Sequence, residues 1–389
     1  MFRQVMRVTA QVACVGAAMA MVACSAPPPP RPSLQDAPTH ERYTAALSEF
    51  GLDRVALGQD WLAAAALALS QPLATTTPFA EEGHLSPERP TAVGYRIDLT
   101  RGRRLAIDVA YTTPEPGRLF VELFERRAGQ PPRRVGGAEP GQTSFEYDVR
   151  WTGPHVLRLQ PELLRGGRYS ISQRTLASYI FPLKDRSIAA VTSGFGAPRD
   201  GGARDHHGID IFAPRGTPVI AITDGVVRAD ETPRGGRVIW LRDGRVGRNL
   251  YYAHLHDWAV ESGTAVRVGD VIGYVGNTGN ARTTPPHLHF GIYDRGPSDP
   301  APYLYRDDPV PPRVTAPLDL LGDWMRVARP SARLRPVHAL ATGDLRPLPR
   351  DVEVRVVAAR RGDYRVWLRD GTSGLLRPEE LAELGNWRN

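Results

Sequence analysis

Lysine is nearly absent from this 389-residue chain. Lys184 is the single one, so almost all the positive charge behind the formal net charge of +7 is arginine. Such a bias reads as the codon preference of a GC-rich genome, and a basic surface also attracts anionic envelope polymers. A nucleic-acid partner is not expected, because no basic run is interleaved with aromatic residues and no binding motif occurs. Long apolar runs are scarce too. Past the N-terminus no segment reaches the ~18 apolar residues that a membrane span needs, and Trp61 to Leu69 is only half that length. Long periodic helices are lacking, whereas 38 Gly and 36 Pro supply frequent turns, which favours β-rich domains over bundles. The chain is also too long for one ordinary core, so two or three folded units are expected.

Cysteine is the other scarcity, with Cys14 and Cys24 alone. Arg3 and Arg7 precede an apolar run from Val8 to Ala23, a charged region followed by a hydrophobic one, as in an export signal. The run ends in Met21-Val22-Ala23-Cys24-Ser25. Small residues before a Cys at that place resemble the bacterial lipobox, with Met21 where Leu is commonest. The resemblance implies cleavage before Cys24 and lipid modification of its thiol. Cys14 is then removed, and neither a structural disulfide nor a Cys-based zinc site is possible. The expected location is the cell envelope: a lipid-anchored protein facing the periplasm, with Ser25 pointing to the outer membrane.

The expected organisation is a leader (1–23), a Pro-rich spacer (24–38), a helical segment (39–75), a β-sandwich (90–177), a unit holding every chemical motif (178–308) and a small barrel (322–385). The spacer begins with four consecutive prolines, a semi-rigid composition. His40 to Ser70 reads as helix, with Gly51 and Gly58 as weak points. From Ala92 to Leu176 the period becomes two, as in Tyr95 to Leu99 and Leu105 to Val109, with Gly and Pro turns between short strands. Within it, Trp151 to Leu159 loosely resembles the pre-peptidase sandwich modules of secreted peptidases. Asp363 to Leu376 resembles the end of a bacterial SH3 barrel, a family whose members often bind cell-wall peptides; a purely structural barrel is the even alternative.

Three clusters carry chemistry. The first is Arg204-Asp205-His206-His207-Gly208-Ile209-Asp210. Imidazole and carboxylate are the ligand types zinc takes without Cys. On an extended strand, His206 and Asp210 lie ~13 Å apart, so sharing an ion requires a tight turn, which Gly208 permits. In the second, Pro286 to Ile292, Leu288, Phe290 and Ile292 alternate with His287, His289 and Gly291. That is a strand with both histidines on one face, ~6–7 Å apart. The third is Leu250-Tyr251-Tyr252-Ala253-His254-Leu255. Taken singly, these read as a polar loop, a solvated strand face and a satisfied core histidine.

Together, and in this order, they resemble the M23 (lysostaphin-like, LytM-type) peptidases over Tyr179 to Leu304. Ser193 to Arg199 matches that family's opening, and His206, Gly208 and Asp210 its His-x-Gly-x-Asp motif. Ala213 to Val219, Tyr252 to Leu255, Val268 to Gly273 and Val275 to Gly279 match the segments up to the His-x-His. The fold implied is mainly β, an antiparallel LytM-type domain preceded by the sandwich and followed by the SH3-like barrel. By the resemblance His206, Asp210 and His289 are zinc ligands, His254 and His287 the catalytic pair, and His207 a bystander. Two departures stand out: Thr284-Pro285-Pro286 replaces a shorter Gly-Pro, and Gly291 replaces the usual Glu. Two imidazoles and a carboxylate leave Zn²⁺ an open position for water, whose pKa falls from about 15.7 to about 7. One of His254 and His287 takes the water's proton. The other stabilises the oxyanion or protonates the leaving amine.

The implied function is a peptidoglycan endopeptidase cutting D-alanyl–diaminopimelate cross-links, with stem peptides as substrate and the membrane reached through the anchor. Protein partners are not readable. The alternative is a non-catalytic LytM-type lipoprotein that binds peptidoglycan or activates an amidase. Such relatives have lost zinc ligands, whereas all five positions are filled here.

Overall fold

The computed structural model describes Leu34, residues 37–337 and residues 345–384. The expected leader and most of the spacer, Cys24 included, lie outside the described residues.

The segment from His40 to Ser70 forms two helices, His40–Glu49 and Ala56–Ser70. The Thr39 hydroxyl caps the first by accepting the Arg42 N–H at 3.3 Å. The break falls at Gly51, whose φ of +71° is the left-handed region that glycine enters without penalty. Gly58 does not interrupt the second helix. A Cβ there would lie 1.9 Å from the Leu52 carbonyl oxygen, so this glycine permits a close approach of backbone. Trp61 anchors the helices, packing with Tyr43 and Phe120 and donating its indole N–H to the Pro161 carbonyl at 2.9 Å.

The rest of the described chain is mainly β. One five-stranded sheet has the order Leu73–Thr75, Val93–Leu99, Gly153–Pro161, Leu119–Glu125 and Arg133–Gly137. Facing it are Phe79–Leu85, Gly167–Ala177, Arg103–Thr112 and Phe145–Asp148. Tyr95, Ile97, Leu123 and Leu157 of the first layer meet Phe79, Leu105, Ile107 and Ile171 of the second in one apolar cluster. Phe79–Leu85 lies ahead of Ala92, where the period-two pattern begins in the sequence. It escapes that reading because Glu81 occupies an inward position among Phe79, Gly83 and Leu85.

Glu81 is 1% exposed, and its partner comes from far away in sequence. Arg365 donates to it from Nε at 3.1 Å and from Nη2 at 2.9 Å, while the Tyr95 and Tyr169 hydroxyls donate at 2.7 and 3.1 Å. The same strand pairs along its free edge with Glu353–Arg360, with Glu82 opposite Ala359 and Gly83 opposite Ala358. The C-terminal strands Glu353–Arg360, Asp363–Leu368 and Ser373–Leu376 thus continue the sheet of the preceding layers. Breaking a buried ion pair on one side strands a charge and costs ~3–5 kcal/mol. Arg365→Met should therefore lower stability by about that amount in denaturant unfolding, and Glu81→Leu added to it should recover most of the loss. A double variant as unstable as the single one would place the cost elsewhere.

Between these regions lies a ten-stranded sheet whose main path runs Val191–Ser193, Ile209–Phe212, His287–Tyr293, Arg248–Trp258, Gly236–Asp243, Gly225–Thr232 and Ala265–Val266. Alternation divides its faces. Ile209, Ile211, Leu250, Tyr252, Leu288, Phe290 and Ile292 pack into a core that also holds Tyr179 and Leu304. The opposite face carries the polar residues between them, and the site is built there.

Candidate active site

Strand register brings the two histidine clusters together. Ile209–Phe212 runs antiparallel to His287–Tyr293, with Asp210 opposite His289 and Phe212 opposite His287. His206 precedes that strand and folds back over it. Its Nε2 lies 3.1 Å from Asp210 Oδ1 and 3.0 Å from His289 Nδ1, and His289 Nδ1 lies 3.0 Å from the same carboxylate oxygen. These three residues form the one His/Asp group suited to a metal among the described residues. Gly208 serves this closure differently from the turn expected of it. Its φ is not left-handed, but a Cβ there would lie 2.8 Å from the His289 ring and 2.5 Å from the Phe290 carbonyl oxygen. Any side chain would displace a ligand.

The donor set of this triad suits a cation. His206 Nδ1 faces the Gly194 carbonyl at 2.8 Å and must donate to it, which leaves Nε2 of the neutral ring as an acceptor. That lone pair faces a carboxylate oxygen and another ring nitrogen. Ligands about 2.0–2.1 Å from a tetrahedral ion are separated from one another by roughly 3.3 Å, near the distances seen. Burial works to raise the Asp210 pKa, but the adjoining His206 and His289 imidazoles outweigh it and hold the carboxyl well below its ordinary range. A neighbour that the sequence reading passed over supports the other oxygen. Arg199 Nη2 donates to Asp210 Oδ2 at 2.7 Å and to Ser193 Oγ at 2.6 Å. Both sit in the opening motif, which was the available signal.

The remaining two histidines share one design. His287 Nδ1 donates to the Pro285 carbonyl at 2.9 Å and His254 Nδ1 to the Thr278 carbonyl at 2.9 Å. Each therefore keeps Nε2 as its free acceptor. Their ring centroids are 5.0 Å apart, and His254 is 5.9 Å from His289. The longer Thr284-Pro285-Pro286 segment thus supplies the carbonyl that orients His287. Phe212 stacks on His287 with centroids 4.9 Å apart.

His254 reaches this face against its strand parity. Tyr252 points into the core, so simple alternation would send His254 there too. Instead His254 has φ +62° and sits where the pairing of Arg248–Trp258 with Gly236–Asp243 shifts register, between the Tyr252–Ile239 and Leu255–Arg237 pairs. The bulge re-aims the side chain into the groove. Burial, aided by His287 and His289, pushes its pKa down to about 4, so the ring is neutral at pH 7. Burial also lowers the pKa of His289.

All five residues line one groove of about 810 Å³, bounded by side chains from Thr192 to Tyr293 only. A larger cleft of about 1050 Å³ lies where Arg104 and Ser178 meet Asp243 and Leu304, and contains none of the five.

Residues 204–300 match the family described as peptidase family M23. An L-Ala–D-Glu endopeptidase of Bacillus subtilis is 40% identical over 144 residues, 33% of this chain and 44% of the relative. A DD-carboxypeptidase/endopeptidase of Neisseria meningitidis serogroup B is 46% identical over 88 residues, 22% of this chain and 20% of the relative. A glycyl-glycine endopeptidase of Staphylococcus capitis is 38% identical over 107 residues, 26% of this chain and 29% of the relative. The chain spans less than half the length of each of these relatives. The family is one of zinc metallopeptidases. By its matched segment, its five histidine and aspartate positions and these relatives, the chain carries an M23 peptidase family domain over residues 204–300.

Proposed function

We propose that this protein is a zinc-dependent endopeptidase of peptidoglycan that cuts D-alanyl–diaminopimelate cross-links. The observation that carries the reading is the convergence of three possible ligand atoms within 3.0–3.1 Å, beside two histidines whose free Nε2 atoms serve the same groove. His206, Asp210 and His289 would hold the ion. Zn²⁺, when bound, acidifies water and polarises the scissile carbonyl. The chain's own residues do the rest. Arg199, itself held by the Ser193 hydroxyl, fixes the Asp210 carboxylate. The Pro285 and Thr278 carbonyls fix the tautomers of His287 and His254. A neutral His254 accepts a proton at Nε2 and can return it to the leaving amine. The filled ligand set argues against the non-catalytic alternative. Purified protein should release muropeptide monomers from cross-linked sacculi, and a chelator should stop it. Intact sacculi in the presence of metallated protein would overturn the reading.

The lipobox-like Val22-Ala23-Cys24 supports a lipid anchor holding this groove against the cell wall in the periplasm. Cys24→Ser should leave an unprocessed precursor without fatty-acid label. Normal maturation of that variant, with no label on the wild type, would rule the anchor out.

A further inference from the structure

The groove carries a feature that the hydrolytic chemistry does not use. Trp240, Tyr251 and Tyr293, all half-buried, line it together on the outward sheet face. They are adjacent by register: Trp240 lies opposite Tyr251, Tyr251 opposite Gly291, and Tyr293 opposite Asn249. Trp240 is 4.5 Å from Tyr251 and 5.3 Å from Tyr293 between ring centroids. Tyr251 meets the ligand His289 edge-on at 5.8 Å, so the cluster is continuous with the candidate metal centre. Gly291 floors it. A Cβ there would lie 3.0 Å from Tyr293 Cε2 and 3.1 Å from the His207 carbonyl oxygen. The Gly that stands where Glu is usual is thus what lets Tyr293 fold over the sheet.

Stem peptides of alanine, glutamate and a diamino acid have only small or charged side chains and offer nothing that calls for three aromatic rings. The other component of the same polymer does. An amino-sugar ring has an apolar face of polarised C–H bonds, which the negative face of an aromatic ring attracts, and a rim of hydroxyl and amide groups for the polar tips of Tyr and Trp. The reach fits as well. Along the strand, Tyr251 and Gly291 lie one two-residue step, ~7 Å, from the His289 row, and Tyr293 two steps, ~13 Å. Three stem residues between a D-alanyl–diaminopimelate bond and the sugar of the acceptor strand extend ~10 Å.

We infer that Trp240, Tyr251 and Tyr293 form a saccharide subsite that seats an amino sugar of the glycan strand beside the scissile cross-link. This rests on the peptidase reading and adds that substrate is read through its sugar. The test uses the full, metallated chain and two substrates: a muropeptide dimer bearing its disaccharides, and the same peptide dimer without sugars. Wild type should favour the sugar-bearing dimer about tenfold in kcat/KM, through KM, the scale of one good aromatic contact. Trp240→Ala should bring that ratio close to one, with zinc content held. Gly291→Glu should do the same with all three rings retained, by displacing Tyr293. Equal kcat/KM for both substrates in wild type, or a ratio unchanged in Trp240→Ala, would overturn the subsite. Turnover of neither substrate would overturn the peptidase reading instead. Calorimetry would then decide the subsite: tighter binding of the sugar-bearing dimer that Trp240→Ala loses supports it, and equal binding overturns it.

Discussion

Asp210→Ala protein is expected to purify without zinc and to leave cross-linked muropeptides intact. Asp210 Oδ1 is the point that both ligand histidines share, at 3.1 Å from His206 and 3.0 Å from His289. Its removal leaves two neutral imidazoles and the Arg199 guanidinium, which Asp210 had paired at 2.7 Å. A site reduced to two neutral ligands beside an unpaired cation has neither the number nor the charge that zinc requires. His206→Ala and His289→Ala should behave alike. Arg199→Ala touches only the outer carboxylate oxygen and should weaken zinc by about 10–100-fold, as losses of groups supporting a ligand do. Zinc per chain by mass spectrometry, before and after dialysis against a graded chelator, separates these cases. An Asp210→Ala protein that keeps its full zinc would sink the assignment.

His254→Ala and His287→Ala should instead keep their zinc while turnover of a muropeptide dimer falls by about 10²–10⁴-fold, the usual cost of losing a general base or an oxyanion stabiliser. Neither residue belongs to the triad of atoms that lie within 4.8 Å of one another. Each is tied to a backbone carbonyl through Nδ1, so its free nitrogen serves the groove rather than the ion. Zinc must be measured on the same sample. Loss of metal in His287→Ala would mean that the two histidines of the strand exchange roles. Undiminished turnover in both variants would place the chemistry elsewhere.

Much of this site was legible because strand parity is a local property. Leu288, Phe290 and Ile292 alternating with His287, His289 and Gly291 already set both histidines on one face. The structure puts the apolar three in the core and the histidines on the groove. Asp210 was legible through the His-x-Gly-x-Asp resemblance. The bond these relatives cut was not legible, since their names give three different linkages for similar sequence. Nor did the helical pattern reveal which glycine breaks it. Gly51 and Gly58 have equal propensity costs, and only the close approach of Leu52 to Gly58 tells them apart.

The sequence by itself determined which residue types could bind an ion and that His287 and His289 would share one strand face, because ligand chemistry and the two-residue repeat depend on neighbours alone. Tertiary structure decided what depends on partners distant in the chain. It turned His254 out of the core through a bulge that faces Arg237 and Ile239 of the neighbouring strand. It answered the inward charge of Glu81 with Arg365, 284 residues later. It gathered Trp240, Tyr251 and Tyr293 from three strands into one shelf. Each of these is set by strand register between remote segments, and register is fixed by the burial of whole faces, which no local window contains.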